Sequence, residues 1–120
     1  MRIASFRKTS LIEYPGKISC IIFLAGCNFR CRFCYVPHLV LPAKINKIKL
    51  VDTKEIFLYL RKNKKLIDAV VFTGGEPTIN KELPLFIKKI KKMGFLVGIE
   101  TNGTNPKMLF ELIKNKLVDY

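Results

Sequence analysis

Three cysteines stand at positions 27, 31 and 34, in the spacing C-x-x-x-C-x-x-C. Thiolates bind soft metals, and three of them on one short loop can hold three corners of a cubic iron-sulfur cluster, leaving the fourth iron without a protein ligand. Such an iron is open to a substrate. Free cysteine titrates at about 8.5, so ligation at neutral pH benefits from nearby positive charge, which Arg30 and Arg32 bring within the loop itself. Those two arginines are equally suited to an acidic partner surface. The same three cysteines with His38 would also make a Cys3His zinc set, and as a solvated loop residue His38 needs no chemical role. Cys20 lies in an apolar run and reads as an inert, packed thiol.

Two more clusters follow apolar runs: Gly74-Gly75-Glu76-Pro77 and Glu100-Thr101-Asn102-Gly103. Taken singly each is a weak signal, since Gly-Gly-Glu-Pro also makes an ordinary strand-to-helix turn. Their placement is what counts. Residues 18–25, 69–73 and 95–99 are short apolar runs rich in branched and aromatic side chains, the pattern of fully buried parallel strands. The Asp52–Asn63 segment opens with Asp-x-x-Glu. Leu83, Phe86, Ile87 and Ile90 recur at helical spacing before Gly94, and Asn105-Pro106 precedes Leu109, Leu112, Ile113 and Leu117. Three helices therefore alternate with three strands, and Leu117–Tyr120 reads as the opening of a fourth strand.

This order implies right-handed crossovers and puts the three loops together at the carboxyl ends of the strands, the reactive rim of a parallel α/β sheet. The fold expected is α/β: the N-terminal half of a partial (β/α) TIM-like barrel, with a parallel sheet of about four strands and flanking helices. A closed barrel takes about 250 residues, so residues 1–120 read as a single, partial domain. An uncovered sheet edge would favour self-association or a second polypeptide completing the barrel.

Composition narrows the classes. With 49% apolar and 26% charged residues, the chain is excluded from the disordered and low-complexity classes. No apolar run reaches the roughly 20 residues a spanning helix needs, and Arg7 and Lys8 cut short the Ile3–Phe6 patch before it could serve as a signal peptide. Four cysteines within fifteen positions suit a metal site in a reducing compartment, so a cytoplasmic location is expected. The net charge of +13 points to an acidic partner. Lys88, Lys89, Lys91 and Lys92 form the densest patch, which also fits the wet side of a helix.

The cysteine spacing resembles the signature of the radical S-adenosylmethionine enzymes, and the Gly-Gly-Glu-Pro and Thr-Asn-Gly stretches match as well. Within that superfamily, Lys8–Lys17 (KTSLIEYPGK) and Phe23–Cys31 (FLAGCNFRC) resemble the activating proteins of glycyl-radical enzymes, notably anaerobic ribonucleotide reductase. The resemblance implies that Cys27, Cys31 and Cys34 ligate a 4Fe-4S cluster whose open iron chelates S-adenosyl-L-methionine. It implies that Phe33 packs near adenine, that Gly74 and Gly75 let backbone approach the methionine ammonium, and that Glu76 adds a carboxylate. Glu100, Thr101 and Asn102 would bond methionine or ribose. An electron from flavodoxin or ferredoxin would cleave the sulfonium to a 5′-deoxyadenosyl radical, which abstracts hydrogen from a glycine Cα of the partner enzyme.

Two features depart from that pattern. Activating enzymes often carry Cys-His-Asn-Pro at the third ligand, where this chain has Cys34-Tyr35-Val36-Pro37, which leaves the ligand set intact but bears on substrate identity. Related enzymes also continue through further strands. Alternatives are a radical enzyme acting on tRNA or a small molecule, the basic charge keeping RNA in view although nucleic acid is not the expected partner, and a non-enzymatic zinc or iron-sulfur module.

Overall fold

The computed structural model describes all residues from Met1 to Tyr120. Strand β1 (Ile3–Ser10) leads into β2 (Ser19–Leu24). Two single-turn helices follow the cysteine loop, α1 (Pro37–Val40) and α2 (Pro42–Ile45). Then come α3 (Thr53–Lys62), β3 (Ala69–Gly74), a 3-10 turn (Pro77–Ile79), α4 (Leu83–Lys92), β4 (Leu96–Ile99) and α5 (Pro106–Lys114). The sheet order is β1-β2-β3-β4. β2, β3 and β4 run parallel, with Leu24 beside Gly74 and Phe72 beside Ile99.

The fourth strand of the sheet is not the expected one. It is β1, antiparallel to β2, with Ser5 opposite Phe23 and Arg7 opposite Ile21. β1 lies at an edge, so half of its side chains stay in water and it lacks the apolar run that marks the other three strands. Leu117–Tyr120 forms no assigned strand, yet its backbone already bonds β4: Asp119 N–H donates to Val97 O at 2.8 Å and Ile99 N–H to Tyr120 O at 2.9 Å.

The helices start where capping chemistry allows. Asp52 accepts from Lys54 N at 2.8 Å and Asn105 accepts from Met108 N at 3.2 Å, each satisfying a backbone donor that a helix end leaves free. Pro84 and Pro106 fall in first turns, where a missing N–H costs nothing.

All three long helices cover one face of the sheet. Cys20, Ile22, Leu24, Val70, Phe72 and Val97 meet Ile56 and Leu60 of α3, Ile87 and Ile90 of α4 and Leu112 of α5 in one core. Burying each large apolar side chain contributes about 1.5–3 kcal/mol, so the alternation along the strands decides which face the helices take. The opposite face carries none of the long helices; only the short α1 and α2 pack there, through Leu39 and Ile45 beside Phe23. At its lower end Tyr14 packs on Ala69, Val71 and Leu96 and closes it; at its upper end, where the parallel strands finish, it stays open.

Candidate cofactor site

The cysteine loop, the Gly-Gly-Glu-Pro loop and the Thr-Asn-Gly loop converge on that open upper end. They enclose a cavity of about 490 Å³ whose lining includes Cys27, Cys31, Cys34, Gly74, Gly75, Glu76, Glu100, Thr101, Asn102 and Phe33. The three cysteines, Phe33 and the six residues of the two later loops that the family resemblance marked therefore line one space. Phe33 and Tyr35 are 83% and 97% exposed, so the aromatic rim has no partner on its outer side. Glu100 reaches back to Thr73, whose hydroxyl donates to it at 2.5 Å.

Glycine is required here for backbone contact between loops. Gly75 N–H donates to Leu24 O and Glu76 N–H to Gly26 O, both at 2.8 Å, laying the two loops side by side. A Cβ on Gly75 would stand 1.9 Å from Gly26 O, and one on Gly74, whose φ is +114°, would stand 2.5 Å from Leu24 N and O. Room for a ligand is thus not the first demand on these glycines; the packing of backbone against backbone already excludes a side chain.

Glu76 also has a role its sequence position does not reveal. It is fully buried. Its carboxylate accepts from Thr78 N at 2.9 Å, Thr78 Oγ1 at 2.5 Å, Thr101 Oγ1 at 2.7 Å and Asn102 N at 2.7 Å. Charged hydrogen bonds are stronger than neutral ones, and here they join the loop after β3 to the loop after β4. Asn105 Nδ2 adds a bond to Thr78 O at 2.8 Å, tying the start of α5 to the same turn.

A second set of bonds joins the Thr-Asn-Gly loop to the cysteines. Asn102 Nδ2 donates to Asn28 Oδ1 at 3.0 Å, Asn28 Nδ2 to Thr104 Oγ1 at 2.7 Å, and Thr104 Oγ1 to Asn102 Oδ1 at 2.6 Å, closing a ring. Cys27 Sγ accepts from Phe29 N at 3.3 Å, and Asn102 Nδ2 approaches it at 3.9 Å. Asn28 and Thr104 were not among the residues the sequence marked. The signal for them was weak: two short polar residues beside the motifs, 76 positions apart.

Arg30 has a structural role beside the charge it brings to the loop. Its Nη1 donates to Cys27 O at 2.8 Å and Phe29 O at 2.7 Å, so its guanidinium braces the loop backbone. Cys20 is fully buried in β2, and burial pushes its thiol up to about 12; it packs among apolar side chains, as the sequence indicates.

The donor set fits a cubic cluster better than a single ion. Cys27, Cys31 and Cys34 are free thiols on one cavity. No three Cys, His, Asp or Glu side chains converge as ligands of one metal ion would. His38 lines a different cavity, with Arg7 and Phe23, so the Cys3His set is not assembled. No helix is long and apolar enough to cross a membrane.

Known proteins are similar to this chain in sequence and in fold. A candidate glycyl-radical enzyme activating enzyme of Methanocaldococcus jannaschii is 43% identical over 112 residues, covering 92% of this chain and 44% of the relative. The 7-carboxy-7-deazaguanine synthase of Rickettsia prowazekii is 36% identical over 97 residues, 76% of this chain and 38% of that protein. The crystal structure of QueE from Escherichia coli superposes with a TM-score of 0.67 at 25% identity, over 86% of this chain and 52% of that one. The chain thus spans about half the length, or less, of the proteins it matches. A family model described as the radical SAM superfamily covers residues 21–120, from β2 through all three loops of the cavity, and the chain belongs to that superfamily.

Proposed function

We propose that residues 1–120 act as one unit that holds a 4Fe-4S cluster on Cys27, Cys31 and Cys34 and S-adenosyl-L-methionine beside it, and that the protein activates a glycyl-radical enzyme. The observation that carries this reading is the single cavity on which three free thiols meet the ends of three adjacent parallel strands. When bound, the pair of groups supplies reductive cleavage of a sulfonium and abstraction of a hydrogen atom. The chain's own contribution is positional. The Asn28-Asn102-Thr104 ring sets the first cysteine against the third loop, Glu76 holds that loop to the second, and Gly75 lets the second lie against the first. Glu100 and Thr101 offer oxygen atoms at the cavity wall for the polar end of a ligand. Phe33 offers an exposed ring on which an adenine can stack.

The activating assignment draws on the 43% identical relative and on the FLAGCNFRC run. A flavodoxin or ferredoxin as electron donor, and a cytoplasmic setting, accord with a +13 surface and unpaired cysteines. The likeness to 7-carboxy-7-deazaguanine synthase favours a second reading, in which the hydrogen donor is a small molecule.

The test is anaerobic reconstitution followed by reduction with dithionite in the presence of S-adenosyl-L-methionine. About four irons per chain, 5′-deoxyadenosine release, and a glycyl radical appearing only with the partner enzyme are expected. Full iron content in Cys31→Ala would refute the ligand assignment. Release of 5′-deoxyadenosine without any protein radical would refute the activating assignment alone.

A further inference from the structure

A second cavity, of about 440 Å³, adjoins the first on the face of the sheet opposite the three long helices, beside the short α1, and shares Phe23 and Val36 with it. Its size falls within the range of small-molecule sites. Leu39 adds to the apolar wall, whereas the ring of Phe6 packs on Tyr59, on the other face of the sheet; the polar groups on the cavity lining are Ser5, Arg7 and His38. No acidic side chain lines it. The ion pairs of the chain join the Met1 amino group to Glu82 and Lys91 to Asp119, so Arg7 has no carboxylate partner. Its guanidinium is nevertheless placed: it lies over the Phe23 ring, 6.0 Å from the centroid.

We propose that this cavity is the substrate subsite and that it takes a carboxylate, gripped by Arg7 with His38 and Ser5 as further donors, while the apolar part of the ligand rests on Phe23 and Val36. An arginine with free N–H groups presents a planar fork that fits a carboxylate bidentately, and the aromatic floor beneath it limits the rotamer freedom lost on binding. The position matters as much as the chemistry. A ligand held by Arg7 across Phe23 extends toward the cavity lined by the three thiols, where a hydrogen atom would be taken. The inference rests on the function proposed above and names the substrate chemistry of that site.

The test uses the full, reconstituted chain with benzoate as probe and benzamide as its uncharged counterpart, followed by titration calorimetry or ligand-observed NMR. Benzoate is expected to bind about tenfold tighter than benzamide, as a charge-assisted contact predicts. Arg7→Met, which keeps an unbranched stem on an exposed edge position, should abolish that preference, and His38→Gln should reduce it a few-fold, with iron content and S-adenosyl-L-methionine affinity at the wild-type level in both. Equal binding of the two probes, or a preference that survives Arg7→Met, overturns the proposal. A parallel arm compares acetyl-Gly-Glu-Gly-amide with its Gln counterpart. A Glu preference lost in Arg7→Met supports an acidic side chain of a polypeptide as the carboxylate, and a preference seen only with benzoate supports a small molecule. A benzoate preference in protein that takes up neither iron nor S-adenosyl-L-methionine would refute the radical function and leave the anion site standing.

Discussion

Replacing Glu76 with Gln tests the claim that a buried carboxylate staples two loops. Glu76 accepts two bonds from backbone donors, Thr78 N to one oxygen and Asn102 N to the other. A glutamine amide has a single oxygen, so either orientation sets an NH₂ group against one of those N–H groups and orphans it. Leaving a buried donor unsatisfied costs about 1–3 kcal/mol, and the surviving bonds lose their charge assistance. A loss of about 2–3 kcal/mol is expected. For a chain of this size that corresponds to roughly 8–12 °C in Tm. The assay is denaturant unfolding of wild type and Glu76→Gln, where the midpoint should fall at constant slope, with amide exchange at Asn102 accelerated. An unchanged midpoint would refute the stapling argument. If the midpoint held while S-adenosyl-L-methionine affinity dropped tenfold or more, Glu76 would be a direct ligand, as its motif alone implies.

The remaining expectations concern the same loops and the core. Gly75→Ala puts a methyl group into Gly26 O, which must shift next to Cys27; the iron-to-protein ratio after reconstitution should fall well below wild type, and a full complement of iron would contradict the close packing of the two loops. Asn28→Ala opens the hydrogen-bonded ring around Asn102 and Thr104. Its cluster should bleach several-fold faster in the presence of chelator at little cost in Tm, because the ring is exposed; equal bleaching rates would remove the ring from any role at Cys27. Cys20 has a folded-state thiol raised from 9.0 to about 12. Below pH 9 both folded and unfolded states hold that proton and stability is unaffected. Above it the unfolded thiol ionises first, so stability falls by up to about 1.4 kcal/mol per pH unit until the folded thiol also ionises. The difference in unfolding free energy between wild type and Cys20→Ala should therefore decline from pH 9 upward, and a flat difference would mean the thiol is not buried as described.

Much of this molecule is legible along the chain, because apolar periodicity and caps are local. Ser19–Leu24, Ala69–Gly74 and Leu96–Ile99 read as strands since their apolar runs are nearly unbroken, and Asp52 and Asn105 mark helix starts by chemistry that acts within three residues. The three cysteines and the two loop motifs were visible for the same reason, and the parallel order of the strands brings them to one rim. β1 was not legible. Its alternation is diluted by Arg7, Lys8 and Thr9, and it becomes a strand only by pairing with β2.

The division of labour among the marked residues is fixed by long-range packing. Glu76 and Gly75 read as groups meant for a ligand, yet their partners Thr101, Asn102 and Gly26 lie on other loops, and those contacts exist only once β2, β3 and β4 are side by side. Asn28 and Thr104 carry no local signature, since a hydrogen-bonded ring across 76 positions leaves no spacing to detect. Residue type and local period specify which elements form and which atoms could do chemistry; the atoms each one touches follow from how the sheet stacks its loops, a long-range outcome that no short window of sequence contains.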